Sequence, residues 1–416
     1  MSVTAFSRLG SANAYDNTLA NLTTRQNNLA NLQESLSSGK KITTPSDDPT
    51  GAAQAERALN RLSRIATDQR ALEVQRNSIS MAESTLGDIT DTLQQVRELV
   101  VSAGNGTFSN AERKTVALQI SGLRERILSL ANSKDSNGQP LFAALGSALT
   151  PFAGPASTVP DYTFNGLPGA AASGTYAIPA TLDGDSAFML QPGRDAAYNV
   201  QLANGSALST TGVTLVNAAA MPANSKDLSY TLDTMSVVGN NLTYNLVTTD
   251  NSTNPATSST QAGLTTPWSA TMGFTVTAMP GVSLTIKGIP TAADSINVQP
   301  NTSVFATIDK AVTDIGTATT NAAASQAVTQ ALHNLDISMA RISAVRGQAG
   351  DLLNRADSIT STNDKRNIEQ EANRSRAEDI DMVKGISDFQ KQQTGYQAAL
   401  QSYAQVQKLS LFNYIG

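Results

Sequence analysis

The chain is 416 residues long, too long for a single ordinary hydrophobic core, so two or three domains are predicted. It has no cysteine and one histidine, His333, which excludes disulfide scaffolds, thiolate zinc sites and His-rich metal centres. A formal charge of −5 with no basic block argues against a nucleic-acid partner, and 5% aromatic residues is lean for a catalytic pocket.

No stretch carries the ~20 apolar residues needed to cross a membrane, so no membrane partner is expected. Met1–Arg8 lacks the basic start and apolar run of a secretory leader, which predicts a cytoplasmic protein or one exported without leader cleavage. Proline and charge then divide the chain. Twelve of the 15 prolines fall between Pro151 and Pro300, and residues 141–302 hold only 11 charged side chains. The flanking regions carry 26 charges of each sign, so all the net charge lies in the middle. The predicted segments are an N-terminal inner helix (1–44), N-terminal rod helices (45–140) and an inserted β domain (141–302). A C-terminal rod helix (303–380) and a C-terminal inner helix (381–416) follow.

In chain order, Leu22, Leu29 and Leu36 form a seven-residue column flanked by Leu19 and Leu32. Asp47 and Asp48 before Pro49 mark a helix start, because a capping carboxylate and a proline at the first helical position both suit an N-terminus. From there Ile65, Leu72, Ile79, Leu86, Leu93 and Val100 recur every seven residues, which predicts a long helix in a coiled-coil-like seam. Gly104-Asn105-Gly106 ends it. Val116, Ile120, Leu123, Ile127 and Leu130 predict a second helix, folded back as an antiparallel hairpin.

The middle alternates apolar and polar residues over Ser229–Leu232, Leu242–Val247, Phe274–Ala278 and Gly281–Pro290, with turn residues close by. The fold class is therefore α+β: a helical rod formed by both chain ends, with an inserted antiparallel β domain. From Ser303 onward there is no proline, and Leu332, Leu335, Met339, Ile342 and Leu353 continue the helical pattern. Ile386, Phe389, Tyr396, Leu400 and Tyr403 form a narrow stripe near the end, followed by Leu411, Phe412 and Tyr414. A narrow apolar stripe on a polar helix needs a partner helix, and the N-terminal stripe is the simplest one. Two readings of the aromatic column stand open. It docks on the chain's own core, or it anchors a contact between molecules, since aromatic rings give large contact area at low entropic cost.

Other groupings read as structural. Thr44–Pro49 holds adjacent carboxylates without further ligands and reads as a capping turn. Asp135-Ser-Asn137-Gly138 lacks the downstream glutamate of a calcium loop and reads as a turn. His333 sits in a helical pattern beside Leu332 and Leu335 and reads as a satisfied side chain. No nucleophile elbow, zinc, Walker or dinucleotide pattern occurs, so neither an enzyme nor a cofactor is expected.

Several stretches together resemble the bacterial flagellar axial proteins, a flagellin-like family. Leu36-Ser-Ser-Gly-Lys-Lys-Ile-Thr-Thr-Pro-Ser-Asp-Asp-Pro49 is similar to the family's N-terminal signature. Leu130-Ala-Asn-Ser-Lys-Asp-Ser-Asn-Gly-Gln-Pro-Leu-Phe142 resembles its turn after the second rod helix. Ser283–Pro290 followed by Asp294–Pro300 resembles a strand pair leading back into the rod, and Tyr396–Tyr403 with Leu409–Ile415 resembles the ending of the hook–filament junction members. The resemblance implies a non-enzymatic subunit at that junction, assembling through paired terminal helices. The assembly residues it implies are Leu19, Leu22, Leu29, Leu32, Leu36, Phe389, Tyr396, Leu400, Tyr403, Leu411, Phe412 and Tyr414. It also implies, as partners, copies of the chain, an adjacent hook-associated junction protein, flagellin and an export chaperone at the C-terminal helix. Export would run through the flagellar type III apparatus to an extracellular flagellum. A filament-forming flagellin is the alternative within this class, and a surface-binding β domain on a coiled-coil stalk is the alternative of another class.

Overall fold

The computed structural model describes residues 11–156, 161–169, 174–203 and 206–415, with side chains of the two terminal helices described from 16 to 405. Residues 1–10 of the expected inner helix lie outside the described residues. Three helices come first: α1 (Ser11–Ser38), α2 (Pro49–Ala103) and α3 (Asn110–Ala131). Two-residue strands β1 (Phe152–Ala153) and β2 (Thr163–Phe164) and short helices α4 (Gly184–Phe188) and α5 (Pro192–Asp195) follow. Next come β3 (Tyr198–Leu202), β4 (Ser209–Leu215), β5 (Leu228–Val238), β6 (Asn241–Asp250) and β7 (Thr257–Ser269). Then follow β8 (Gly273–Val276), β9 (Val282–Lys287), β10 (Ile296–Pro300), α6 (Val304–Thr317), α7 (Asn321–Glu378) and α8 (Met382–Ile415). The fold is α+β, helical at both ends with an antiparallel β insertion. The described residues form two compact units, one of 71–359 and one of 11–70 with 360–415.

In the larger unit, Leu72, Ile79, Leu86, Leu93 and Val100 are buried at 1% exposure or less, as the heptad column requires. They face α7, which runs antiparallel to α2. Arg76 pairs with Asp357 at 3.1 Å, Glu83 with Arg346 at 2.7 Å and Arg97 with Asp336 at 3.2 Å, positions rising on one helix as they fall on the other. Helix α2 begins at Pro49 and stops just before Gly104, and α3 opens on a capping box in which Ser109 and Glu112 bond each other's backbone N–H. Helix α3 packs most closely on α6, where Arg124 meets Asp309 at 3.1 Å, while α2 and α3 contribute to the same apolar core. The expected single C-terminal rod helix is broken at residues 318–320. Thr320 Oγ1 there accepts the Ala323 N–H at 3.1 Å and caps α7.

The inserted domain differs from expectation at its first boundary. Leu141, Phe142, Phe152, Tyr162, Ile178, Leu182 and Phe188 belong to the helical core, not to the sheet. Their rings cluster on Phe305 of α6, with centroids 5.6 Å away for Phe152, 5.2 Å for Tyr162 and 5.8 Å for Phe188. Asn132, just beyond α3, exchanges two hydrogen bonds with the Phe152 backbone and holds that ring in place. The Tyr162 hydroxyl donates to Asp309 Oδ2 at 2.5 Å and accepts from Arg124 at 3.0 Å, and burial first, then Asp309, pushes its ionisation well above the ordinary tyrosine range.

The sheet core begins at Ala196 and includes Tyr198, Tyr230, Leu232, Leu246, Phe274, Leu284 and Val298. Its eight described strands run β3-β10-β5-β6-β7-β8-β9-β4, all antiparallel, and the end strands β3 and β4 return into contact. The strand pair expected at 283–300 is not a pair. Strand β9 bonds β8 and β4, whereas β10 bonds β3 and β5, because Gly288–Ser295 carries the chain from one end of the strand order to the other. His333 Nε2 lies 3.0 Å from the Val213 carbonyl oxygen, a satisfied side chain. Asp135 Oδ1 accepts from the Asn137 and Gln139 N–H groups, and Gly138 has φ +78°, which makes that stretch a turn.

Candidate assembly interface

The smaller unit contains α1, α2 up to Arg70, the end of α7 and α8. The two chain ends are joined by backbone. Lys41 N–H donates to the Glu378 carbonyl at 2.8 Å and Ile380 N–H to the Gly39 carbonyl at 3.0 Å, with Lys40 and Glu378 paired beside them. Gly39, at φ +74°, takes the left-handed conformation that turns the chain out of α1. The segment after it is a carboxylate-organised turn. Asp47 Oδ2 accepts from the Thr43 and Thr44 N–H groups, and Asp48 Oδ1 caps α2 by accepting from Thr50 and Gly51. Hydrogen bonds from the Thr44 backbone first, and from the Gly51 backbone first, hold the Asp47 and Asp48 carboxyls below the ordinary aspartate range. Asp381 caps α8 in the same way, accepting from Val383 and Lys384.

Helices α1 and α8 pack together as an antiparallel pair. A Cβ on Gly385 would stand 2.9 Å from Leu36 Cδ2, and one on Gly395 would stand 2.7 Å from an Arg25 nitrogen. That register places Leu32 level with Phe389. The pairing predicted from the two narrow stripes is present, and it covers them incompletely. Of the predicted residues Leu22 is buried, while Leu29, Leu32, Leu36, Phe389, Tyr396 and Tyr403 are half-buried. Leu19 and Leu400 are exposed at 47% and 42%. The side chains of Leu411, Phe412 and Tyr414 lie outside the described residues.

Three apolar residues outside the predicted assembly set stand beside it: Met382, Val383 and Ile386, the last already counted in the C-terminal stripe, with Val383 exposed at 82%. Met382 lies seven residues before Phe389, so the same column carried back one heptad reaches it. Val383 falls on the flank of that column, where no periodic signal separates contact from solvent. The larger unit has two extensive apolar cores, whereas the buried apolar residues here are few and small, chiefly Leu22, Ile42, Ala55, Ala58, Ile65 and Ala377. Chemically, this surface offers apolar burial and no reactive constellation. Among the described residues no group of three or more His, Asp or Glu could hold a metal ion, and no helix is long and apolar enough to cross a membrane.

Comparison with known proteins gives matches at both ends. Residues 11–146 match the bacterial flagellin N-terminal helical region and residues 332–415 the flagellin C-terminal helical region, together just over half of the chain. Flagellar hook-associated protein 3 of Salmonella typhimurium is 33% identical over 145 residues, 35% of this chain and 46% of that protein. Phase 1 flagellin of Salmonella naestved is 35% identical over 121 residues, 28% of this chain and 23% of that protein. The chain thus spans less than half the length of these curated relatives. The crystal structure of a flagellar hook-associated protein 3 from Legionella pneumophila superposes with a TM-score of 0.60 at 24% identity, covering 76% of this chain and 97% of that one. At that identity the likeness is one of fold.

Proposed function

We propose that this chain, which belongs to the flagellin-like family by both of its end regions, is a structural subunit of the bacterial flagellum that joins hook to filament. The observation that carries the reading is the half-covered α1–α8 pair. A small unit with few buried apolar side chains leaves Leu19, Leu400, Val383 and Ile386 in water, and neighbouring copies packed side by side would cover them. Burial at ~25 cal/mol per Å² then offsets the cost of fixing two long helices, roughly 1–2 kcal/mol per backbone residue before packing. The similarity to hook-associated protein 3 supports the junction in particular.

In this reading the chain carries no catalysis and works outside the cell, in contact with its own copies, an adjacent hook-associated protein and flagellin. An export chaperone would shield the α8 column beforehand. A filament-forming flagellin is the second reading, favoured by the 35% identity to phase 1 flagellin. Electron microscopy of a strain lacking the chain tests the first: hooks without filaments, with flagellin shed into the medium, are expected, and intact filaments overturn it. Growth of long filaments by the purified chain alone would favour the second.

A further inference from the structure

The smaller unit contains a pocket of about 430 Å³ between the start of α2 and the end of α7. Its charged lining is mostly cationic, with Lys41, Arg57, Arg61 and Arg376 against one carboxylate, Asp48. Asp48 Oδ1 is already engaged by the Thr50 and Gly51 N–H groups and the Thr50 hydroxyl. Among the described residues none of the four cations pairs with a carboxylate at ion-pair distance. Arg61 reaches only Gln370 Oε1 at 3.4 Å, Arg376 reaches Asn373 Oδ1 at 2.9 Å, and Lys41 reaches the Arg376 carbonyl at 3.0 Å. Elsewhere on these helices Arg76 pairs with Asp357, Arg97 with Asp336 and Arg346 with Glu83, while Arg70 and Arg355 bond only carbonyl or hydroxyl oxygens but are not gathered around a concavity. Four cations gathered around a concavity repel one another unless an anion enters it.

The complementary surface lies on α2 within the larger unit. Asp88, Asp91 and Glu98 are exposed and, at spacings of three and seven, share one face of the helix. Arg97, the one cation between Asp88 and Glu98, is turned toward Asp336. We infer that the pocket of Lys41, Arg57, Arg61 and Arg376 receives the Asp88–Asp91–Glu98 face of a second copy of the chain. Arginine suits this contact because its planar fork can hold a carboxylate with two parallel hydrogen bonds. A basic site on one surface meeting an acidic stripe on a different surface is a heterologous contact, which adds copies in one direction instead of closing a dimer. The contact sets order and register, and the apolar helices supply the burial. The inference rests on the reading of this chain as a self-assembling subunit.

The cysteine-free sequence allows a direct test. Full-length Arg61→Cys carrying a size tag is mixed with full-length Asp91→Cys and oxidised, and the mixed dimer is read on a non-reducing gel. Ser361→Cys, exposed and outside the pocket, replaces Asp91→Cys in the control. The expected result is a mixed disulfide formed on the order of tenfold faster than in the control. The excess should disappear at about 1 M salt, where the Debye length is about 3 Å. Circular dichroism melting of each variant verifies that the fold is retained. No excess over the control, or an excess that salt leaves unchanged, overturns the contact. Stabilisation by inorganic phosphate that is lost in Arg57→Ala/Arg61→Ala, with no mixed disulfide, also overturns it and assigns the pocket to a small anion. If the wild-type chain restores filaments to a deletion strain while no mixed disulfide forms, the contact fails and the junction role stands.

Discussion

Truncating Phe188 to alanine should loosen the helical rod and leave the β-sheet domain intact, although Phe188 lies in the proline-rich middle of the sequence. Its ring is fully buried, with centroids 5.4 Å from Phe142, 5.1 Å from Phe152 and 5.8 Å from Phe305. A phenyl side chain buries roughly 200 Å², which at ~25 cal/mol per Å² gives about 5 kcal/mol, an upper figure because unfolded chains already cover part of that area. Phe→Ala changes in cores cost ~3–5 kcal/mol, so about 4 kcal/mol is expected. Two probes separate the domains. Circular dichroism at the helical minimum follows the rod. The single tryptophan, Trp268 on β7, packs on the sheet core with its Nε1 donating to the Gly288 carbonyl at 3.2 Å, and its fluorescence follows the β domain. In a urea titration Phe188→Ala should move the helical transition to lower denaturant. Phe274→Ala, from the sheet core, should move the tryptophan transition. If Phe188→Ala shifts tryptophan fluorescence and leaves the helical signal in place, the assignment of residues 141–188 to the rod is refuted.

Excising residues 198–300 and bridging Ala197 to Asn301 with a short glycine–serine linker should preserve incorporation into flagella, since the Asn301 N–H already bonds the Ala197 carbonyl at 2.9 Å. A stable, exported variant that never enters flagella would contradict this. Tyr396→Ala combined with Tyr403→Ala should lower the subunit's melting temperature little, because both rings are half-exposed, while abolishing incorporation; a large fall in melting temperature would mark the column as intramolecular core. Asp47→Asn combined with Asp48→Asn should destabilise the smaller unit at pH 7 and make no difference at acid pH. Both carboxyls are held below their ordinary values in the folded chain, so their contribution is complete above the unfolded range and vanishes as pH falls through the lowered one. Denaturation of wild type and variant across that range checks it, and a gap persisting at low pH would contradict the mechanism.

The heptad column of α2 was readable because one physical cause, burial of one helix face in a continuous core, repeats every seven residues and leaves a periodic trace. The helix start at Pro49 and the stop at Gly104 were readable because each depends on backbone chemistry local to a few residues. The pairing of α1 with α8 followed from two stripes that each lacked a partner. The aromatic cluster was not readable. Phe142, Phe152, Tyr162, Phe188 and Phe305 are spread over more than 160 positions without a period, and only the tertiary path gathers them. Strand order failed for the same reason. The family resemblance implied that β9 pairs with β10, and the crossover that separates them lies in a loop with no distinguishing sequence signal. The basic pocket escaped because its cations sit in three separate stretches, none dense enough to register as a charge run.

The backbone junction of residues 39–41 with 378–380 imposes a schedule on synthesis. Leu36 and the glycine it packs against, Gly385, are separated by some 350 residues, so at ~5–20 residues per second a ribosome needs roughly 17–70 s between making the first and the second. For that interval the leucines of α1 have no native partner, while Leu72, Leu86 and Leu93 of α2 likewise await α7. The nascent chain therefore displays the apolar stripes of α1 and α2 well before α7 and α8 are made. The eight-stranded sheet, whose described strands all lie between positions 198 and 300, is able to close on itself midway through translation.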